Sequence, residues 1–285
     1  EFRRVLFRSH EYVLLLVGAV LGSMVLALWL TTVFYTGGNW WWIFGCIMTA
    51  FSVVLTRLAP QLIIPLFFKL KPLDAPALQA RMKEISQKSG TALLGIYEID
   101  MSRKTNAANA AVVGFGGSRK ALVGDTLLKD FTADEVEFVL THELGHHHNN
   151  DIWRGIILGS ISSFALYGFS HLLLQYMASD TAVIFPIPNG FVESFHPILI
   201  LWFFVTQAVL SFFVSPFLLW HSRFIERKAD LFAVRMSEKA AAGVTSFEKL
   251  GTKNLAVYNP PKWEMILFHS HPSIQERIQT LKSLS

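Results

Sequence analysis

Long runs without a charged residue divide the chain. The first extends from Tyr12 to Thr56, and a single helix of that length would measure about 67 Å, twice the thickness of a bilayer core. It therefore predicts two membrane crossings joined by a turn at residues 36–39. The runs Gly155–Ser179 and Ser194–Trp220 are each long enough for one crossing. We expect four crossings in all.

Basic residues flank these crossings on one side only. The loops at 36–39 and 180–193 contain neither Lys nor Arg. Because the cytoplasmic loops of membrane proteins carry the excess of basic residues, the polar segments 69–154 and 221–285 are predicted to be cytoplasmic. The flanking basic residues are Arg3, Arg4, Arg8, Arg57, Lys69, Lys71, Arg154, Arg223, Arg227 and Lys228.

Composition agrees with a membrane protein. Of the 285 residues, 52% are hydrophobic and 16% are charged, which excludes a disordered chain and an ordinary water-soluble domain. The single cysteine, Cys46, excludes a disulfide scaffold and a metal site built from several cysteines. The net charge of +4 suits basic membrane flanks, so we expect the lipid bilayer as a partner and no nucleic acid.

The same patterns predict the domain organisation. The chain has no initiator methionine, and residues 1–11 are expected to be a foreign or truncated N-terminus. Two pairs of membrane helices are expected at 12–58 and 155–220, with cytoplasmic segments at 59–154 and 221–285. The predicted fold class is mainly α, a multi-pass α-helical membrane protein with a small α+β region.

The first cytoplasmic segment supplies the α+β region. A helix is expected over Asp74–Ser89, with Asp74 as its cap and Gly90 as its end. The glycines at 114–117 resemble a phosphate-binding loop, but a strand follows them instead of a helix, so a hairpin turn is favoured. The predicted strands are Leu94–Asp100, Ala110–Val113 and Ala121–Val123.

The next helix contains a metal-binding pattern. Thr132 and Glu135 form a capping box, and the helix that they open is expected to end near Asn150. Within it, the sequence His-Glu-Leu-Gly-His at 142–146 is an H-E-x-x-H motif. The helix is therefore the candidate site of the chemistry.

Helical spacing explains why this motif can hold zinc. His142 and His146 are four residues apart, so both imidazoles project from one face of the helix. Glu143 is turned by about 100° from His142, near enough to reach a water molecule on the metal. His147 and His148 are expected to face solvent or an interface. The alternative interpretation is a histidine-rich helix end in which the pattern arose by chance.

A third zinc ligand is expected from another cytoplasmic element, because catalytic zinc takes three protein ligands. Glu226 follows the fourth crossing, and two crossings separate it from His146, so the topology returns it to the same side. Asp230 is one helical turn later and can accept a hydrogen bond from a ligand imidazole. Alone, such an acidic pair is more often a solvated helix face, but its pairing with H-E-x-x-H favours one zinc ion per chain.

Together these motifs resemble the M48 family of integral-membrane zinc proteases, which comprises the Ste24 CAAX prenyl proteases and their HtpX-like bacterial relatives. The resemblance rests on H-E-L-G-H, on E-R-K-A-D at 226–230 and on Ser270-His271-Pro272 near the end. The stretches at 109–114 and 120–128 are also similar to Ste24. The resemblance covers about residues 40–285, although Ste24 enzymes have seven membrane helices around a large chamber and only four are predicted here.

The resemblance implies roles for individual residues in a gluzincin-like catalytic region. Asn109 begins the strand that the family uses to hold extended substrate backbone. His271 corresponds to a catalytic histidine that donates to the developing oxyanion, and Arg277 to an arginine counted with the substrate-binding residues. The metal ligands, the catalytic base and the carboxylate behind the ligands correspond to His142, His146 and Glu226, to Glu143, and to Asp230.

We therefore expect a membrane-embedded zinc-dependent endopeptidase whose active site faces the cytoplasm, in a bacterial inner membrane or the endoplasmic reticulum. Its substrate is a peptide or protein, prenylated for a Ste24-like CAAX protease or membrane-embedded for an HtpX-like quality-control protease. A hypothesis from a different class is a catalytically idle membrane scaffold with a structural metal. Glu143 disfavours that hypothesis, because a structural metal site needs no base.

Overall fold

The computed structural model describes residues 2–180 and 198–284. These residues form ten α-helices and one four-stranded sheet, so the predicted mainly α architecture is confirmed. Most of the predicted loop at 180–193 and the start of the charge-free run at Ser194 lie outside the described residues. The elements are α1 (Phe2–Thr36), α2 (Trp40–Phe67), β1 (Leu70–Pro72), α3 (Pro76–Ser89), β2 (Gly95–Ile99), β3 (Ala110–Val113), β4 (Lys120–Gly124), α4 (Asp125–Asp130), α5 (Ala133–His148), α6 (Asp151–Asp180), α7 (Ile198–Ser237), α8 (Ala240–Lys253), α9 (Lys262–Phe268) and α10 (Ile274–Lys282).

The chain divides into two compact units. We call them the apolar unit, formed by residues 1–51 and 159–211, and the sheet unit, formed by residues 52–158 and 212–285. Each unit has a hydrophobic core of its own. The core of the apolar unit consists of Trp29, Val33, Trp40, Phe44, Leu174 and Phe203.

Within the apolar unit the chain reverses between α1 and α2. The rings of Trp29 and Trp40 have centroids 6.0 Å apart, whereas eleven residues of one straight helix would separate them by about 16 Å. The reversal occurs at a short 3₁₀ turn, where Gly37 has a φ of +52°, a conformation that glycine adopts without steric cost. This is the turn that was predicted at residues 36–39.

Three stretches of the described residues are long and apolar enough to span a membrane. They are Gly18–Leu58, Asp151–Tyr176 and Ile200–Ser237. The first is 41 residues long and contains the reversal at Gly37, so it comprises two helices. The stretches therefore involve α1, α2, α6 and α7, and the four crossings predicted from the charge pattern stay a prediction.

The sheet unit is built on strands in the order β1-β2-β4-β3. Strands β2 and β4 are parallel, while β1 pairs antiparallel with β2 and β3 antiparallel with β4. The β3–β4 pair is the predicted hairpin, and Gly114 and Gly116 have φ values of +98° and +55° in its turn. Strands β1 and β3 are thus the two edges of the sheet.

Helices α3 and α5 pack on the sheet and close the core of this unit. The buried side chains come from both helices and from three strands, and they exclude water beneath the helix that carries the H-E-x-x-H motif. They include Leu78, Met82, Ile85, Ile96, Ala121, Val123, Leu140 and Leu144.

Two details of the α+β region were predicted wrongly. Helix α3 begins at Pro76 with Ala75 as its N-cap, and Asp74 does not cap it. Proline suits the first helical position because of its fixed φ, which leaves Asp74 one residue too early. Strand β1 was not predicted, because three residues that include Lys71 and Pro72 carry no alternating pattern.

The predicted capping box is confirmed at the start of α5. The Thr132 hydroxyl accepts a hydrogen bond from the Glu135 N–H at 3.3 Å, and the Glu135 carboxylate accepts one from the Thr132 N–H at 2.8 Å. The helix ends at His148, close to the predicted end. The motif residues therefore lie in the last turns of a helix whose N-terminus is capped.

Helices α5 and α7 approach each other closely at Gly145. A Cβ atom built on Gly145 would lie 2.9 Å from Cδ1 of Phe232 and 3.4 Å from Cα of Ala229. The Phe232 ring is buried, so it has little room to move away. A glycine is needed here because of this packing between the two helices.

We predict that Gly145→Ala destabilises the protein by about 1–3 kcal/mol, because the added methyl group overpacks the contact with α7. The check is the thermal unfolding midpoint in detergent. Gly155→Ala is the matched control, since a Cβ at Gly155 would meet no heavy atom within 4 Å. Equal midpoints for the two variants would contradict this account of the contact.

Candidate metal centre

Two helices of the sheet unit bring the predicted ligands together. His142 and His146 project from one face of α5, and Glu226 faces them from α7. The side chains of His142 and Glu226 are buried, with 8% and 9% exposed, and that of His146 is 21% exposed. The three predicted ligands thus form a single cluster that opens to solvent on the His146 side.

The distances within this cluster fit a tetrahedral metal ion. Nε2 of His142 lies 3.3 Å from Nε2 of His146. The carboxylate oxygens of Glu226 lie 3.4 Å from Nε2 of His142 and 3.5 Å from Nε2 of His146. Ligand atoms that bind zinc tetrahedrally at their usual bond lengths are about 3.3–3.5 Å apart.

One atom of the cluster needs a cation. Oε2 of Glu226 is buried and has no hydrogen-bond partner among the described residues. The nitrogens nearest to it are Nε2 of His142 at 3.4 Å and Nη2 of Arg277 at 3.6 Å. A buried carboxylate oxygen left in this way is costly. A metal ion coordinated by the cluster would remove that cost, so the residues fit the implied zinc.

Asp230 fixes the orientation of the first histidine. Its Oδ1 lies 2.8 Å from Nδ1 of His142, which leaves Nε2 directed at Glu226. Burial lowers the pKa of His142, but the contact with Asp230 and the nearby carboxylate of Glu226 outweigh it and raise this pKa to about 9. The predicted role of Asp230 behind the ligand imidazole agrees with this geometry.

Both carboxylates of α7 face side chains that carry or can carry a positive charge. The oxygens of Glu226 lie 3.3 Å from Nε2 of His271 and 3.6 Å from Nη2 of Arg277. Oδ1 of Asp230 lies 2.6 Å from Nη2 of Arg277 and 2.8 Å from Nδ1 of His142. The centre therefore presents two buried negative charges, as a cation site requires.

Asp151 supports the second histidine and was missed from the sequence. Its Oδ2 lies 3.1 Å from Nδ1 of His146, and its side chain is only 6% exposed. Each ligand imidazole therefore has a carboxylate behind it. The available signal was an aspartate five residues after His146, at the first position of the next helix.

Arg277 lies behind the ligands. Its Nε and Nη2 donate to both oxygens of Asp230 at 2.9 Å and 2.6 Å, and its guanidinium stacks over the ring of Phe247 at 3.9 Å. The structure thus joins α10 to the centre through a bidentate ion pair. The predicted contact of Arg277 with substrate stays a prediction.

The other predicted residues lie around the cluster. Burial raises the pKa of Glu143, the residue after the first ligand. Nε2 of His271 lies 3.3 Å from Oε1 of Glu226, and its side chain is 62% exposed. Asn109 directly precedes β3 and is exposed. Their roles as base, oxyanion donor and substrate contact stay predictions.

The expectation for His147 was wrong. Its side chain is buried, with Nε2 2.8 Å from the carbonyl oxygen of Val112 on β3 and Nδ1 3.2 Å from Nε of Arg119. Helical spacing correctly turned it away from the metal face, but a strand covers that side of α5. His148 is exposed and stacks on Phe232.

The chain has the fold of a multi-pass helical membrane metalloprotease. Its helices include several candidate membrane spans and bring together two imidazoles and a carboxylate. The chain belongs to peptidase family M48, which matches residues 72–285. Residues 4–69 match the N-terminal domain of CAAX prenyl proteases, described as five membrane helices.

Similar proteins come from bacteria and eukaryotes. The uncharacterized metalloprotease YhfN of Bacillus subtilis is 32% identical over 240 residues, which are 84% of this chain and 55% of that protein. The probable CAAX prenyl protease 1 of Schizosaccharomyces pombe is 26% identical over 271 residues, 93% of this chain and 54% of that protein. The chain spans about half the length of these curated relatives.

A solved structure shares the fold. The crystal structure of S. mikatae Ste24p superposes with a TM-score of 0.80 at 24% sequence identity. The match covers 94% of this chain and 64% of that one. The chain therefore has the fold of this solved structure.

We predict that Asp151→Asn weakens zinc binding by about 10–100-fold, because an amide orients the His146 imidazole less strongly than a carboxylate does. Competition with a chromogenic chelator measures the change. Asp134→Asn is the control, since Asp134 is an exposed residue in the first turn of α5, the helix that carries His146, and pairs with Lys239. Equal zinc affinity in both variants would exclude the role given to Asp151.

Proposed function

We propose that this chain is a zinc-dependent membrane endopeptidase. The observation that carries the proposal is the triangle of His142 Nε2, His146 Nε2 and the Glu226 carboxylate, with sides of 3.3–3.5 Å. Membership of a peptidase family and the glutamate at position 143 support a catalytic centre in preference to a structural one.

The residues around the triangle supply the steps of peptide hydrolysis. Zinc held by the three ligands would polarise the scissile carbonyl and lower the pKa of water. Glu143 takes the proton of the attacking water and passes it to the leaving amine, a task that the raised pKa of this partly buried carboxyl favours. His271, exposed beside Glu226, donates a hydrogen bond to the oxyanion of the substrate.

For the substrate we propose a CAAX-type prenylated peptide. The N-terminal match to CAAX prenyl proteases and the names of several relatives support this choice. The alternative, a quality-control protease for membrane proteins, is supported by the candidate spans of the chain itself. The resemblance to HtpX-like enzymes also supports this alternative, in which the substrate carries no prenyl group.

We further propose that the centre faces the cytoplasm. The basic residues that flank the candidate spans lie on the side of segments 69–154 and 221–285, and the loop residues 36–39 carry no positive charge. A bacterial inner membrane or the endoplasmic reticulum fits this orientation. The orientation would give the enzyme access to substrates made in the cytoplasm.

The substrate class is tested by cleavage of two peptides with purified protein. One is a farnesylated C-a-a-X peptide, and the other is an unprenylated membrane-protein segment, each with and without chelator. Chelator-sensitive cleavage confined to the farnesylated peptide supports the CAAX assignment. Preferential cleavage of the unprenylated segment supports quality control, and cleavage of neither supports the scaffold hypothesis.

We predict that Glu143→Gln retains about one zinc ion per chain but loses at least 100-fold in kcat, because the amide fills the same space without accepting a proton. Zinc content and peptide cleavage are measured on the same sample. Glu248→Gln, an exposed glutamate on α8, is the control and keeps its activity. Near-normal turnover by the Glu143 variant would disprove its role as base.

We predict that cysteines placed at Lys88 and Lys253 are both labelled by a membrane-impermeant reagent only when the cytoplasmic side is open. A cysteine at Asn189 should react from the other side. Asn189 belongs to the predicted loop 180–193, which has no Lys or Arg, and lies outside the described residues. Replacing Cys46 by serine first removes the single native thiol. Labelling of 88 and 253 from opposite sides would refute the orientation.

A further inference from the structure

Only alternate residues of the edge strand β3 are hydrogen-bonded to β4 through their backbone groups. The carbonyl of Asn109 accepts a hydrogen bond from the N–H of Gly124, which continues the register in which Ala110 lies opposite Val123. In an antiparallel pair the bonded residues alternate, so the N–H and C=O groups of Ala108, Ala110 and Val112 point away from β4. These groups form the free edge of the sheet.

One end of this edge is closed by Asn254, the residue after α8. Its Oδ1 accepts from the N–H of Ala108 at 3.0 Å, and its Nδ2 donates to the carbonyl of Ala108 at 3.2 Å. The amide of Asn254 thereby takes the two bonds that a neighbouring strand would make at this position. Pairing with a further strand ends at Ala108.

The other end is closed by His147. Arg119 can only donate, so Nδ1 of His147 accepts its bond at 3.2 Å and the ring proton is on Nε2. Nε2–H therefore donates to the carbonyl of Val112 at 2.8 Å. Because His147 follows the predicted ligand His146 directly, this bond also fixes β3 relative to the metal centre.

Three backbone groups of the edge remain for a ligand. They are the N–H and C=O of Ala110 and the N–H of Val112, which have no hydrogen-bond partner among the described residues. Ala110 C=O is the one acceptor in this interval, since Ala108 C=O and Val112 C=O are already taken. Ala110 and Val112 are each 8% exposed, and a β edge with unpaired backbone groups accepts an extended peptide through those groups.

We infer that Asn254 and His147 are positioning residues that limit substrate pairing on β3 to a short interval at Ala110 and so set the register of the substrate against the metal. The inference rests on the proposed peptidase function. Within the interval, one substrate N–H donates to Ala110 C=O, and the substrate nitrogens two residues to either side find no free acceptor. Without these two side chains, neighbouring registers would bind equally well.

The test is a scan of backbone methylation. A fluorescent farnesylated decapeptide that ends in the C-a-a-X sequence, and its singly N-methylated versions, are titrated into zinc-loaded Glu143→Gln protein, whose binding needs no turnover. We expect one methylated position to raise Kd about three- to tenfold, the loss of one hydrogen bond, while methylation two residues away on either side has little effect.

Variants of the two positioning residues should add a methylation-sensitive position to the peptide, on opposite sides of the first one. His147→Leu frees Val112 C=O and should make a second position, two residues from the first, sensitive to methylation. Asn254→Leu frees Ala108 C=O and should create a sensitive position on the opposite side. His147→Gln keeps one donor for Val112 and one acceptor for Arg119, so it should restore the single-position pattern of the parent protein.

Three outcomes would overturn the inference. They are several alternate sensitive positions in the parent protein, no sensitive position, and no measurable binding of the unmodified decapeptide. Because the two leucine variants are independent, a folding defect in one of them leaves the other as the test. Failure of the proposed function is a separate result, namely that protein with Glu143 intact does not cleave the same decapeptide although the binding pattern holds.

Discussion

The centre depends on two buried carboxylates, Glu226 and Asp230, that share the same two partners, His142 and Arg277. Asp230 and Glu226 lie one turn apart on α7, with 3% and 7% of their surfaces exposed. A buried carboxylate without a partner is strongly unfavourable, so α7 is stable in this position only if cations or donors meet both groups. His142 comes from α5 and Arg277 from α10, and each contacts both carboxylates. The electrostatic requirement of α7 thereby determines which helices pack against it.

Packing at two other places supports the same arrangement. Gly145 lets the backbones of α5 and α7 approach closely enough for the ligands to meet. Farther along α5, buried Glu137 pairs with Arg81 of α3 and with Lys239, which follows α7. Removing one partner of such a buried pair leaves a charge uncompensated, which is more costly than the pair is stabilising. The helix of the motif is therefore held at both ends by its neighbours.

The sequence was sufficient for features that are local or topological. The spacing of His142 and His146 on one helix, and the two predicted crossings before Glu226, predicted that these three residues cluster, without any knowledge of packing. Asp151 was not predicted, because its contact with His146 depends on how the chain turns at Asn150, where φ is +57°. His147 was assigned to solvent or an interface because helical spacing shows which face a side chain occupies, but not which strand covers that face.

The location of the supporting residues has a consequence for any attempt to study the centre in isolation. A fragment of residues 59–148, which ends with α5, would contain both predicted ligand histidines but neither Asp151 of α6 nor Glu226 of α7. Those two residues belong to helices that also form candidate membrane spans. If the centre holds zinc as proposed, zinc affinity and the mutual placement of these helices are thermodynamically linked, and the coupling is reciprocal. A detergent that separates the helices would then weaken metal binding by the same free energy with which the metal holds them together.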